Sequence, residues 1–248
     1  MSVSEWKARE KEQRRNDIID VAEKLFFAKG YEEVSMDDIA KEIKLNKATL
    51  YRYFMSKEAL FFTVVLRGVT INYEMLMKVV KKAGTGMERL AAVGNVSYDF
   101  ARQYPDYHRL INYYSSGRFY LCKLAKNDDF ALLPSGMVSR NDPSERKWVK
   151  LAETTDGEVV REIARLRWEM FDVIRSSILA GQGTGAIGSN LSPEKLAVLI
   201  VLISDSLASI NPDYKSLLEH MGIDPAEFIA DSRAFIQQAI RKDVKDRS

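Results

Sequence analysis

Apolar residues recur along this chain at intervals of three and four, and that spacing limits the fold more than any other feature. Ile18, Ala22, Leu25 and Phe26 show it first. A helix of 3.6 residues per turn brings such positions back to one face. No sustained run of alternating β-branched residues stands between hairpin turns, as a half-buried strand would require. Only six prolines and thirteen glycines interrupt 248 residues. The chain reads as all-α.

Composition removes several classes. Hydrophobic residues make up 46%, enough for a packed core and too many for a disordered chain. The single cysteine, Cys122, cannot close an internal disulfide, which excludes a disulfide-stapled secreted scaffold and suits a reducing compartment. The first twenty residues are charged throughout and hold no apolar signal core. The longest unbroken apolar run, Leu196 to Ile203, has eight residues, whereas a membrane span needs about 20. A soluble, cytoplasmic protein without a membrane partner is expected.

Start and stop signals divide the chain. A helix ends near Lys29, stopped by Gly30; its polar beginning, within residues 1–16, is expected to fray. Ser35 opens a second helix, with Asp37 and Asp38 in its first turn, where acids suit the positive helix end. Asn46 caps a third helix through Phe54, and Ser56 caps a fourth that breaks near Gly84. Helices follow from Met87 to Tyr104, Tyr107 to about Leu124, Asp156 to Ala180, Pro193 to Ile210 and Pro225 to Arg241, with a loop over 126–144. A loop that long is uncommon within one domain and points to function or motion.

Residues 18–57 carry the functional signal. Two short helices joined by a tight turn, packed on a preceding amphipathic helix, describe a helix-turn-helix unit whose last helix enters the major groove. Between 41 and 57 the bases are Lys41, Lys44, Lys47, Arg52 and Lys57 and the only acid is Glu42, 5 − 1 = +4, whereas the whole chain is +2. The positive potential that phosphates require is therefore local. Leu50 and Phe54, four apart, share the inward face.

These residues resemble the DNA-binding domain of the TetR family of transcriptional repressors. The resemblance rests on Ile18–Ala22–Leu25-Phe26–Gly30-Tyr31, Val34 to Ala40, Asn46-Lys47-Ala48-Thr49-Leu50-Tyr51-Arg52-Tyr53-Phe54 and Ser56-Lys57-Glu58-Ala59-Leu60. It covers about the first quarter of the chain. It implies a phosphate contact at Ser35 and base edges approached by Lys47, Ala48 and Thr49, just after the cap Asn46. It implies backbone or thymine contacts for Tyr51, a phosphate contact for Tyr53, and Lys57 at the head of the fourth helix. Arg52 faces either DNA or solvent. Asp37 departs from the pattern by placing an acid where some members carry a basic, base-reading side chain. It is expected to serve the helix end.

Other constellations carry less. Gly183-Thr-Gly185-Ala-Ile-Gly188 fits a dinucleotide-binding pattern, but a helix rather than a strand precedes it, so a turn between helices is expected. His108, His220 and Cys122 are too scattered for a zinc site, and no nucleophile elbow or phosphate loop appears. No metal, cofactor or catalytic residue is assigned, and the chain is not read as an enzyme.

Aromatic residues between Tyr98 and Tyr120 lie among Arg102, His108 and Arg109. Such walls describe a small-molecule pocket or a plain helical core. The resemblance favours the pocket, with Tyr98, Arg102, Tyr107, His108, Ile111, Tyr114, Trp168 and Phe171 as candidates. The run from Leu196 to Ile203 is apolar on every helix face and must be buried all round, inside a monomer or against a symmetry mate. The resemblance favours a homodimer, through Leu196, Leu199, Ile200, Ile203, Leu207, Phe228, Phe235 and Ile236.

The expectation is an all-α chain in two parts. Residues 1–57 form a three-helix, helix-turn-helix DNA-binding domain. Residues 58–248 form a helical-bundle domain for ligand binding and dimerisation. The resemblance implies a repressor released from a palindromic double-stranded operator by a small hydrophobic or aromatic inducer. An activator of the same family, or a helical small-molecule-binding protein without a regulatory role, is the alternative.

Overall fold

Local capping sets where the helices begin. The structure, a computed structural model, describes residues 2–116 and 155–241. Among the described residues there are ten helices and no strand. They are α1 (Val3–Lys29), α2 (Met36–Glu42), α3 (Lys47–Tyr53), α4 (Lys57–Val80), α5 (Gly86–Gln103), α6 (Pro105–Ser115), α7 (Thr155–Gly183), α8 (Pro193–Ala208), α9 (Pro212–His220) and α10 (Pro225–Ile240). The all-α reading holds. Two details differ from expectation. Instead of fraying, α1 begins at Val3, because Ser2 and Glu5 form a reciprocal capping box. The short helix α9 was not anticipated; Asn211 caps it and Pro212 occupies its first turn. The loop expected over 126–144 and Cys122 lie outside the described residues.

The chain forms two compact units, one of residues 1–70 with 106–167 and one of 71–105 with 168–248. In the first, Ile18, Ala22, Phe26, Ile39, Leu50, Phe54, Leu60, Phe61 and Phe62 are fully buried. Each of the large side chains among them contributes about 1.5–3 kcal/mol, so this core outweighs the unit's surface ion pairs at roughly 0–1 kcal/mol each. Rings extend it. Phe61 meets Phe26 edge-on at 5.6 Å and Tyr113 edge-on at 5.9 Å, and Phe62 meets Tyr114 edge-on at 5.7 Å. In length and apolarity α4 would suffice for a membrane span. Ala59 to Phe62, Val64 and Val65 are nevertheless fully buried in the protein, as in a core helix.

A polar junction ties α1, α4 and α6 together within this unit. The Tyr107 hydroxyl donates to Glu23 Oε2 at 2.6 Å, and Arg67 Nη1 donates to the same oxygen at 3.1 Å and to Asp20 at 2.7 Å. Arg109 donates to the Phe27 carbonyl at 2.5 Å, and the Tyr113 hydroxyl donates to Glu32. Close approach depends on Gly68, where an added Cβ would stand 2.7 Å from Tyr107 Cδ1 and 3.0 Å from its Cβ. Gly68→Ala should therefore displace α6 and destabilise the protein by about 1–3 kcal/mol. Thermal melts of wild type and variant check this, and an unchanged midpoint would show that Tyr107 yields without strain.

In the second unit Leu90, Val93, Val96 and Phe100 of α5 are buried, as are Ile174 and Ile178 of α7 and Leu196, Ala197 and Ile200 of α8. A side chain at Gly86 would collide with the Ser177 carbonyl, so glycine there lets α5 start against α7. The glycine-rich segment after α7 is a helix-to-helix connection. Gly188 N–H donates to the Ile240 carbonyl at 3.0 Å, and the Gln182 amide donates to Ser189 and Leu191 carbonyls. No strand precedes it among the described residues, so it lacks the context of a dinucleotide site.

Candidate nucleic-acid interface

The α2–α3 pair is held by caps at both starts. Ser35 Oγ accepts from the Asp38 amide at 3.1 Å, and Asp38 Oδ2 accepts from the Ser35 amide at 2.8 Å and hydroxyl at 2.6 Å. Those bonds to Ser35 hold the Asp38 carboxyl below the usual aspartate range. The box is therefore complete above the ordinary aspartate pKa and is lost as pH falls through the lowered one. Lys44, with φ +56°, turns the chain between α2 and α3 in the left-handed region that non-glycine residues seldom adopt. Asn46 Oδ1 then accepts from the Thr49 amide at 2.7 Å and starts α3.

Seven residues suffice to divide α3 into two faces. Leu50 and the following Phe54 are fully buried, as their spacing predicted, and the Arg15 guanidinium sits 4.7 Å from the Phe54 ring centroid. Asn46, Lys47, Ala48, Tyr51 and Arg52 are exposed, and Thr49 and Tyr53 are half-buried. Tyr51 is 43% exposed, so it stands on the outward face of α3. Ser35, Lys47, Tyr51 and Lys57 line one open groove of about 360 Å³, together with Glu32, Glu33 and Asp37.

Two side chains in this groove are arranged in ways the sequence did not disclose. Asp37 pairs with Lys47 across the groove, Nζ to Oδ1 at 2.8 Å, and the hydrogen bond from Lys47 pushes the lysine pKa up. The acid that departs from the family pattern thus meets the first residue of α3 as well as lying in the first turn of α2. Lys57 turns inward. Its ammonium donates to the Tyr31 carbonyl at 3.0 Å and lies 4.1 Å from the Tyr31 ring centroid. Lys57 fixes the turn after α1, and the feature it leaves toward the groove is the start of α4.

The candidate pocket residues fall in both units. In the first, Tyr114 is fully buried, Tyr107 serves the junction at Glu23, and Ile111 and His108 are half-buried. Burial lowers the His108 pKa, so the ring is neutral at physiological pH. In the second, Phe171 is buried and meets Trp168 at 5.7 Å, Tyr98 lies under the Arg233 guanidinium at 5.1 Å, and Arg102 is exposed. Glu23, Arg67 and Gly68 were missed. Their partners lie 39 to 84 residues away, and no local pattern signals such a meeting.

The candidate dimer residues divide likewise. Leu196 and Ile200 are buried, Ile203, Leu207, Phe228 and Ile236 are half-buried, and Leu199 and Phe235 are exposed. Val198 and Leu202 also face outward, Leu202 at 60% and Phe235 at 72% exposed.

A capped three-helix unit with a basic, outward-facing third helix defines the helix-turn-helix class. Residues 18–64 match the family model described as "Bacterial regulatory proteins, tetR family". It is 50% identical over 48 residues to the uncharacterized HTH-type transcriptional regulator YuxN of Bacillus subtilis, a match covering 19% of this chain and 16% of YuxN. It is 28% identical over 101 residues to the HTH-type transcriptional activator FasR of Mycolicibacterium smegmatis, covering 41% of this chain and 46% of FasR. The matches thus span less than half the length of these curated relatives. The likeness of fold reaches further. A crystal structure of AibR in complex with isovaleryl coenzyme A and operator DNA superposes with a TM-score of 0.57 at 18% identity, covering 90% of this chain and 97% of AibR.

Proposed function

We propose that this chain is a ligand-responsive, DNA-binding transcriptional regulator that acts as a homodimer in the cytoplasm and is not an enzyme. The observation that carries the reading is the division of α3, with Leu50 and Phe54 buried and Lys47, Ala48, Tyr51 and Arg52 facing out. Only a rigidly seated helix can present side chains in register with base edges. Residues 1–57 supply DNA binding, through Ser35, Asn46, Lys47, Ala48, Thr49, Tyr51, Arg52 and Tyr53 and through the start of α4 at Lys57. Residues 58–248 supply ligand binding and dimerisation.

The apolar residues left outward on α8 and α10 support the dimer. On α8 the exposed Val198, Leu199 and Leu202 lie within one helical turn of each other, and grouped exposed apolar side chains of this kind mark an interaction site. A two-fold pair presents two recognition helices, and its operator is then palindromic, with half-sites about 34–36 Å apart or a multiple of that. AibR, solved with an acyl coenzyme A and with operator DNA, supports a small-molecule ligand here. Ligand acts by population shift, binding one conformation more tightly than the other. Two levers lead to the DNA-binding helices: α4, continuous with them in sequence, and α6, fastened to α1 at Glu23. Repression is the reading for the outcome, and FasR, an activator, favours activation as the second reading.

Selection of bound duplexes from a random library tests the proposal. An enriched palindrome is expected, and failure to enrich any sequence would contradict it.

A further inference from the structure

The first half of α1 has no role in the reading above, which it rests on. Residues 2–14 are all exposed, so this part of the helix extends beyond the packed core. It is nevertheless an anchored helix start. Ser2 Oγ accepts from the Glu5 amide at 3.2 Å, and Glu5 Oε2 in turn accepts from the Ser2 amide at 2.7 Å.

Its charges are ordered by the helix period. Lys7, Lys11, Arg14, Ile18 and Ala22 follow one another at intervals of four, three, four and four, which places them on one face. Ile18 and Ala22 are fully buried in the first unit. The face that is core in the second half of α1 therefore continues outward as a basic stripe. From Ile18 to Lys7 is eleven residues, about 16 Å of helix at 1.5 Å per residue. Arg15, beside the stripe, lies on the ring of Phe54, which directly follows α3. The stripe thus leaves the unit next to the C-terminal end of the recognition helix.

Acids do not cancel it. Glu5 and Glu12 project from other faces by the same periodicity, and Glu5 is occupied by Ser2. Glu10 borders the stripe, leaving three bases to one acid. Among the described residues Lys7, Lys11 and Arg14 have no carboxylate within ion-pair distance.

We propose that Lys7, Lys11 and Arg14 form a second, sequence-independent contact with DNA phosphates flanking the bases read by α3. A polyanion lying alongside the stripe supplies the opposite charge, and each phosphate neutralised releases counterions and steepens the salt dependence of binding.

The test uses the full chain and a duplex taken from the random-library selection, in two lengths. One is trimmed at the outer edges of the half-sites, and the other carries about ten more base pairs on each side, roughly one helical turn. Binding is measured by fluorescence anisotropy across a salt series for wild type, K7Q/K11Q/R14Q and the charge-preserving K7R/K11R/R14K. All three replacements are compatible with a helix, and circular dichroism verifies that. Wild type and the charge-preserving variant should show a steeper salt slope on the long duplex than on the short one. The glutamine variant should lose that difference, its slope on the long duplex falling by about 0.9 per lost phosphate contact, roughly 2.7 per subunit. A wild-type slope for the glutamine variant on the long duplex would overturn the proposal and leave the helix-turn-helix reading intact. Lys47→Ala bound as tightly as wild type on both lengths would instead defeat docking through α3, and absence of any selected sequence would defeat both.

Discussion

Replacing Phe54 with alanine should destabilise the protein by about 3–5 kcal/mol, the cost of a large buried ring plus the cavity it leaves. Phe54 is fully buried, ends the recognition helix and carries the Arg15 guanidinium on its face. For a chain of this length the loss corresponds to a fall in Tm of roughly 6–20 °C. Calorimetry measures it, with Met55→Ala as control. Met55 is adjacent but exposed, and its truncation should change stability by no more than about 0.5 kcal/mol. Equal melting of the two variants would mean that α3 is not held by its core face. The register of every outward side chain would then lose its basis.

Lys47→Ala combined with Tyr51→Ala should leave folding and dimerisation unchanged and weaken binding to the selected operator by roughly 30-fold to 10⁴-fold, from about 1–3 kcal/mol at each side chain. Both residues are exposed, so neither truncation opens the core. Anisotropy titration measures the loss, and sedimentation velocity checks that wild type and variant share one assembly state. Wild-type affinity in the double variant would exclude the proposed docking of α3.

Asp37 gives a contrasting result. Its ion pair with Lys47 places a carboxylate in the groove that phosphates would occupy. Asp37→Asn should tighten binding to scrambled DNA and steepen its salt slope by about 0.9 per subunit, because one lysine charge is released to phosphate. An unchanged slope would show that Lys47 leaves Asp37 without cost when DNA arrives.

Much of this was legible in the sequence because it is local. Caps at Ser35 and Asn46 and the stop at Gly30 depend on residues within a turn or two of each other. The inward pair Leu50 and Phe54 depends only on helical period. What was missed depends on distance along the chain. Lys57 reads as a basic residue beside a DNA-binding helix, yet its ammonium is held by the Tyr31 carbonyl and ring, 26 residues earlier. Glu23 reads as one surface acid among several, yet it accepts from Tyr107 and Arg67. The helix α9 was missed for another reason. Asn211-Pro212-Asp213 is a good start signal and Tyr214, Leu217 and Leu218 follow at helical spacing, but the helix is only nine residues long and buries no side chain.

The central claim is sequence-specific DNA binding, and a titration tests it most directly. Fluorescence anisotropy should compare DNA from just upstream of the protein's own gene with a scrambled duplex at two salt concentrations. Specific protein–DNA pairs exceed non-specific ones by about 10³–10⁷ in affinity, and both weaken as salt rises. A preference of that order for the upstream DNA, declining with salt, is the expected result. Equal affinity for the two duplexes, together with no enriched sequence from the random library, would contradict the account.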